Sequence, residues 1–89
     1  MKISKEKKNK ILEQILMHLY TTNPRPIFTS KIAEEVARDE EFVKKLLLEL
    51  KKKGLVVEIK KNPQGVEYVR RSRWRLSERA FSIYKNKQI

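Results

Sequence analysis

From Ser4 onward, apolar residues recur at spacings of one, three and four: Ile11, Leu12, Ile15, Leu16 and Leu19. This period lines one side of a helix with side chains fit for a core, and Ser4 stands where an N-cap belongs. The helix is expected to stop before Thr21, because Pro24 and Pro26 push the residues ahead of them out of helical geometry. Ile27 and Phe28 then read as a very short strand. Thr29 is placed to cap a second helix, Ser30 to Ala37, whose Ile32, Ala33, Val36 and Ala37 give a small apolar face. Asp39 is placed to cap a third, Glu40 to about Lys53, with Phe42, Val43, Leu46, Leu47 and Leu50 facing inward and Gly54 where a left-handed terminator belongs.

After Gly54 the period drops to two. Leu55, Val57 and Ile59 alternate with Val56, Glu58 and Lys60, which reads as a half-buried strand with Leu55, Val57 and Ile59 as its apolar side. Asn62, Pro63 and Gly65 occupy the first, second and fourth places of a type I turn, so the chain should reverse there. Closing the turn on Asn62 and Gly65 sets Lys60 opposite Glu67 and Ile59 opposite Tyr68. The returning strand, Val66 to Leu76, ends at Ser77, which can cap a final helix of about residues 78–88 bearing Ala80, Phe81, Ile83 and Tyr84. Two helices a few residues apart, the second and third, make a helix-turn-helix. The fold class is therefore α+β: a three-helix core with a short strand, a β-hairpin from about 55 to 76 and a last helix, all in one domain spanning residues 1–89.

Size and composition narrow what such a domain can do. At 89 residues with 39% apolar content, it buries roughly 60–65% of its unfolded surface and has little volume for an enclosed substrate cavity. There is no Cys and a single His, His18, so thiolate or multi-His metal sites and disulfides are not expected. No cofactor is expected either, and no paired carboxylates, Gly-rich phosphate loop or nucleophile and base argue for an enzyme. Apolar runs such as Leu46 to Leu48 fall far short of a membrane span, and the first residues lack the apolar stretch of a signal peptide, so the expected location is the cytoplasm.

Charge changes the picture most. Lys and Arg number 22 against 11 Asp and Glu, a formal +11. Residues 1–26 carry +4, residues 27–50 carry −2 and residues 51–89 carry +9. A polyanionic partner should meet the C-terminal half first.

The residues bordering the hairpin resemble those of winged helix-turn-helix domains in small prokaryotic regulators of the MarR-like and ArsR-like groups, archaeal ones included. Val43, Leu47 and Leu50 followed by Gly54-Leu55-Val56 look like the end of a recognition helix leading into the wing, and Trp74-Arg75-Leu76-Ser77-Glu78 looks like the wing's exit. The resemblance covers about Ile11 to Phe81. It implies double-stranded DNA with the third helix in the major groove and the hairpin on the backbone or in the minor groove, often bound by a homodimer.

On the third helix, the side opposite the apolar stripe carries Glu41, Lys45, Leu48 and Lys52, with Glu40 and Lys44 beside them. Glu40, Glu41, Lys44, Lys45 and Leu48 are the candidate groove readers, and Leu48 can touch a thymine methyl. The same face is also explained by ordinary solvated i,i+4 pairs, Glu40–Lys44, Glu41–Lys45 and Glu49–Lys53. The hairpin gathers Lys60, Lys61, Arg70, Arg71, Arg73 and Arg75. If Trp74 and Leu76 point inward, Arg71, Arg73 and Arg75 line the opposite side at roughly 6.6 Å steps, suited to a phosphate backbone. They can instead solvate the sheet or pair with Glu34, Glu35 or Glu58. Because the hairpin is cationic and the helix is not, Arg71→Ala or Arg73→Ala should weaken binding to all sequences more than Lys45→Ala. Trp74 reads as a core anchor, Tyr68 as a strand pair or a stacking platform, and His18 as a helix residue without a ligand role. Met17, Phe81, Ile83 and Tyr84 either form a two-fold interface through the first and last helices or pack within the chain. Two other functions share these features: an RNA-binding or ribosome-associated winged helix, and a protein-interaction module for which Leu48 is the contact.

Overall fold

A computed structural model describes residues 4–60 and 72–87. The elements run α1 (Lys5–Thr22), β1 (Ile27–Phe28), α2 (Thr29–Val36), α3 (Glu40–Lys52), β2 (Val56–Ile59), β3 (Arg73–Leu76) and α4 (Glu78–Lys87). The Ser4 hydroxyl accepts from the Lys7 backbone N–H at 3.2 Å, as a cap should. Ile11, Ile15, Leu16 and Leu19 are buried and Leu12 is half-buried. The helix runs two residues beyond the expected stop. Thr21 and Thr22 stay helical and donate their hydroxyls to the His18 carbonyl at 2.8 and 3.1 Å.

Asp39 caps α3 through the Phe42 N–H at 3.3 Å, and Gly54 sits at φ 75°, so both ends of that helix are built from the residues expected to build them. Val43, Leu46, Leu47 and Leu50 are buried beneath it. Ser77 caps α4 by accepting from Ala80 N–H at 3.1 Å, and its own hydroxyl donates to the Gly54 carbonyl at 2.8 Å, fastening the α4 start to the turn after α3.

Helix α2 differs from expectation at both ends. Thr29 is not a cap but the first helical residue, and Phe28 precedes it without a side-chain bond. The hydroxyl turns inward to accept from the Trp74 indole N–H at 2.8 Å. A wholly buried indole needs an acceptor, and Thr29, 7% exposed, supplies it. Ala37 leaves the packed face: it is exposed and closes the helix in the left-handed region at φ 56°.

The sheet has the order β1-β3-β2, antiparallel throughout. Its phase and register correct the expected pairing. Val56, not Leu55, Val57 and Ile59, is the buried residue of β2, and it faces Leu76. Ile59 faces Arg73 rather than Tyr68. The register expected from the turn carries Val56 past Leu76 to Arg71, setting an apolar core position against a guanidinium. Burial of Val56, Leu76 and Trp74 selects the observed alignment instead. The turn at Asn62 to Gly65, the Lys60–Glu67 pair and the strand residues 66–71 lie outside the described residues.

The short strand Ile27–Phe28 pairs with Trp74 and Arg73 at the other edge of β3. Trp74 and Leu76 thus sit centrally on the inner face, over Ile15, Leu19, Ile32, Val43, Leu47 and Leu50. Tyr20 of α1 stacks on Phe81 of α4 at 5.3 Å and approaches Tyr84 at 5.9 Å, so part of the last helix's apolar side is used within the chain. Met17 and Ile83 remain 43% and 40% exposed.

Candidate nucleic-acid interface

With its apolar stripe committed to the core, α3 turns its other side outward. Glu40, Glu41, Lys44, Lys45 and Leu48 are all exposed, Leu48 at 40%. They follow from the helical period alone, since residues three and four apart share a side. Among the described residues, none of the three i,i+4 pairs closes to an ion pair. Glu49 instead meets Lys8 of α1 at 2.9 Å, tying the start of α1 to the far end of α3. The leading end of the face is acidic and its middle is cationic around one apolar residue, giving near-neutral charge over two turns.

The strands supply the second surface. Arg73 and Arg75 point away from Trp74 and Leu76, as alternation requires, and share the outer sheet face with Phe28, Val57 and Ile59. Their exposure is partial. The Arg73 guanidinium lies over the Phe28 ring, 5.1 Å from its centre, a cation–π contact that orients it across β1. Arg75 donates to the Leu76 carbonyl at 3.0 Å. Lys60 follows β2 and is exposed. Lys61, Arg70 and Arg71 lie outside the described residues.

Neither arginine takes Glu58. That carboxylate is the inward residue opposite Trp74, with its side chain 6% exposed. Its Oε1 accepts from Lys51 at the end of α3 at 2.9 Å, and its Oε2 accepts from the Ser72 hydroxyl at 2.6 Å. Burial alone pushes a carboxyl upward, but here the Ser72 hydrogen bond and the Lys51 charge, with a contribution from Lys60, outweigh it and hold Glu58 below the ordinary glutamate value. The alternation expected of β2 sets Glu58 on the side away from Leu55, Val57 and Ile59, as a partner for the arginines, whereas it is turned inward. The signal available was its position two residues after an inward Val56, although neither the phase nor residues 51 and 72 were tied to it by any local pattern. Among the described residues no group of His, Cys, Asp and Glu could hold a metal ion, and no helix is long and apolar enough to cross a membrane.

A helix-turn-helix packed on a small antiparallel sheet, with a solvent-facing second helix and arginines on the adjacent strand, defines a winged helix. The chain belongs to the winged helix-turn-helix transcription repressors of the HrcA DNA-binding family, whose model matches residues 3–69. No curated protein sequence matches it. Among solved structures it is similar to an apo-form mutant of ZitR from Lactococcus lactis, with 25% identity and a TM-score of 0.71 over 93% of this chain and 58% of that one. It is also similar to a mutant of MepR from a multidrug-resistant S. aureus clinical isolate, with 21% identity and a TM-score of 0.70 over 86% and 53%. A third is an S. aureus MepR mutant bound to an oligodeoxyribonucleotide, with 23% identity and a TM-score of 0.61 over 94% and 69%. The chain thus spans little more than half the length of the ZitR chain and of the MepR chain from the clinical isolate.

Proposed function

We propose that this chain binds double-stranded DNA as a cytoplasmic transcriptional regulator, with α3 in the major groove and the basic strands and their connection on the phosphate backbone. The observation that carries this is the outward face of α3. It is held rigidly by four buried residues behind it, with Lys44, Lys45 and Leu48 presented together in front. The family match and the oligonucleotide-bound MepR neighbour support the same reading. Lys44 and Lys45 suit guanine edges or phosphates, Glu40 and Glu41 suit cytosine amino groups, and Leu48 suits a thymine methyl. Lys60, Lys61, Arg70, Arg71, Arg73 and Arg75 supply the sequence-independent grip. Met17 of α1 and Ile83 of α4, both exposed, are the residues through which a second copy would pair, matching a two-fold operator.

Fluorescence polarisation of a labelled random-sequence duplex at several salt concentrations, with folded RNA as competitor, tests the proposal. Tight binding with a steep negative log–log salt slope that RNA displaces poorly is expected. Absent binding at moderate salt overturns it and turns attention to a protein partner, and ready displacement by RNA replaces DNA with structured RNA.

A further inference from the structure

The inner face of β2 holds a group that the DNA contacts do not use. Glu58 is a carboxylate with nine-tenths of its side chain buried in a small sheet whose other inward residues are Val56, Trp74 and Leu76. Burying a carboxylate is an expensive way to stabilise a sheet, since well-packed apolar residues do as well or better. What the carboxylate provides is direction: two oxygens, each committed to a different element. One holds Lys51 in the last turn of α3, the other the Ser72 hydroxyl just before β3. Ser72 continues the chain of bonds, because its carbonyl accepts from the Thr29 N–H at 3.3 Å and from the Thr29 hydroxyl at 3.4 Å, at the start of α2. A single carboxylate on β2 therefore connects both helices of the helix-turn-helix to β3, the strand that carries Arg73 and Arg75.

Resting on the DNA-binding reading above, we infer that Glu58 is a positioning residue for DNA. Clasping Lys51 and Ser72, it fixes the angle between α3 and the β2–β3 pair so that groove and backbone contacts engage together. Lys51 accordingly serves as a strut and not as a phosphate ligand. The clasp makes a prediction opposite in sign to simple electrostatics. Glu58→Gln removes a negative charge from a chain of net +11, and by charge alone every phosphate contact should strengthen. If the clasp sets geometry, the variant binds more weakly in spite of its extra positive charge.

The test compares wild type, Glu58→Gln and Ser72→Ala in salt-dependent polarisation titrations with one duplex, at a temperature where circular dichroism shows each fully folded and with active fractions measured. The expected result for Glu58→Gln is an affinity about fivefold to tenfold lower, within the range of coupled neighbouring groups. Its salt slope should be shallower by about one phosphate contact, or ~0.9. Ser72→Ala, which leaves the charge unchanged, shows a smaller loss of the same sign and carries the test alone if Glu58→Gln does not fold. A purely structural role lowers thermal stability but leaves the affinity and slope of the folded fraction unmoved. Equal or tighter binding, or a loss with an unchanged slope, overturns the inference while leaving DNA binding intact. Failure of wild type to bind any duplex removes both.

Discussion

The buried bond between Trp74 and Thr29 gives the most direct check on why the sheet sits where it does. Trp74 is fully buried and its indole N–H reaches the Thr29 hydroxyl at 2.8 Å, with Thr29 itself 7% exposed. Thr29→Val keeps the shape of the side chain and removes the acceptor. The indole N–H then loses its partner in a place water does not reach, at a cost of about 1–3 kcal/mol. The Ser72 carbonyl also loses a 3.4 Å donor but keeps the Thr29 backbone N–H, so this second loss is small. For a domain of this size each kcal/mol lowers Tm by about 4–8 °C, so a fall of about 4–24 °C is expected.

Urea unfolding followed by tryptophan fluorescence suits the measurement, because Trp74 is the chain's sole tryptophan. The decisive control is Trp74→Phe, followed by circular dichroism. In that background no indole N–H remains to be orphaned, and adding Thr29→Val should cost less than about 0.5 kcal/mol, the usual additivity error. An equal cost in both backgrounds, or none in either, would refute the argument that the indole draws Thr29 inward.

Backbone strain makes a paired prediction. Ala37 sits at φ 56° and Gly54 at φ 75°, so Ala37→Gly should raise stability by about 0.5–1 kcal/mol in urea unfolding. Gly54→Ala should lower it by about 1–2 kcal/mol, a purely conformational cost because, among the described residues other than its chain neighbours, no atom lies within 4 Å of the added methyl. Glu58 makes a pH prediction with a definite sign. Its folded carboxyl titrates below the ordinary 4.5, so its stabilisation is complete above that value and disappears as pH falls through the lowered one, and the urea midpoints of wild type and Glu58→Gln should converge in acid. Burial, with the charge of Glu13, pushes the Tyr84 phenol above 10.0, so ultraviolet titration should lose a late-ionising component in Tyr84→Phe. In polarisation titrations, Leu48→Ala should weaken binding to a selected sequence with an unchanged salt slope, whereas Arg75→Ala should weaken binding to every duplex and flatten the slope by about 0.9.

The long helices were readable because their signals repeat. Helix α1 shows five apolar residues in phase, and α3 combines such a stripe with Asp39 and Gly54 at its ends. Once the stripe is inward, the exposure of Glu40 to Leu48 follows with no tertiary information. Helix α2 has only eight residues and begins Phe28-Thr29-Ser30, where the local rule favouring Thr29 as a cap competes with a demand from a tryptophan 45 positions away. Strand β2 runs Leu55-Val56-Val57-Glu58-Ile59, apolar on both sides, so period two is present without a phase. Turn residues indicate a reversal without fixing which strand positions meet; that depends on whether Leu76 or an arginine lies over Val56. The Lys51, Glu58 and Ser72 cluster had no local signature, because it draws on three elements that only the register brings together.

These placements divide the labour between the two candidate DNA surfaces. The outward face of α3 is close to neutral, with Glu40 and Glu41 balancing Lys44 and Lys45, so in the proposed complex it would contribute little to long-range attraction and much to the difference between one base pair and another. Residues 51–89 hold +9 of the +11 charge and, on the proposed reading, would supply the attraction without reading bases. Such a division works only if the two parts are rigidly connected, because a grip that pivots against the reading helix lets each contact form at the other's expense. Trp74, bonded to Thr29, and Glu58, bonded to Lys51 and Ser72, connect them. Loosening either connection should therefore cost specificity before overall affinity: the affinity ratio between a selected and a random duplex should fall in Ser72→Ala by a larger factor than its binding to the random duplex does.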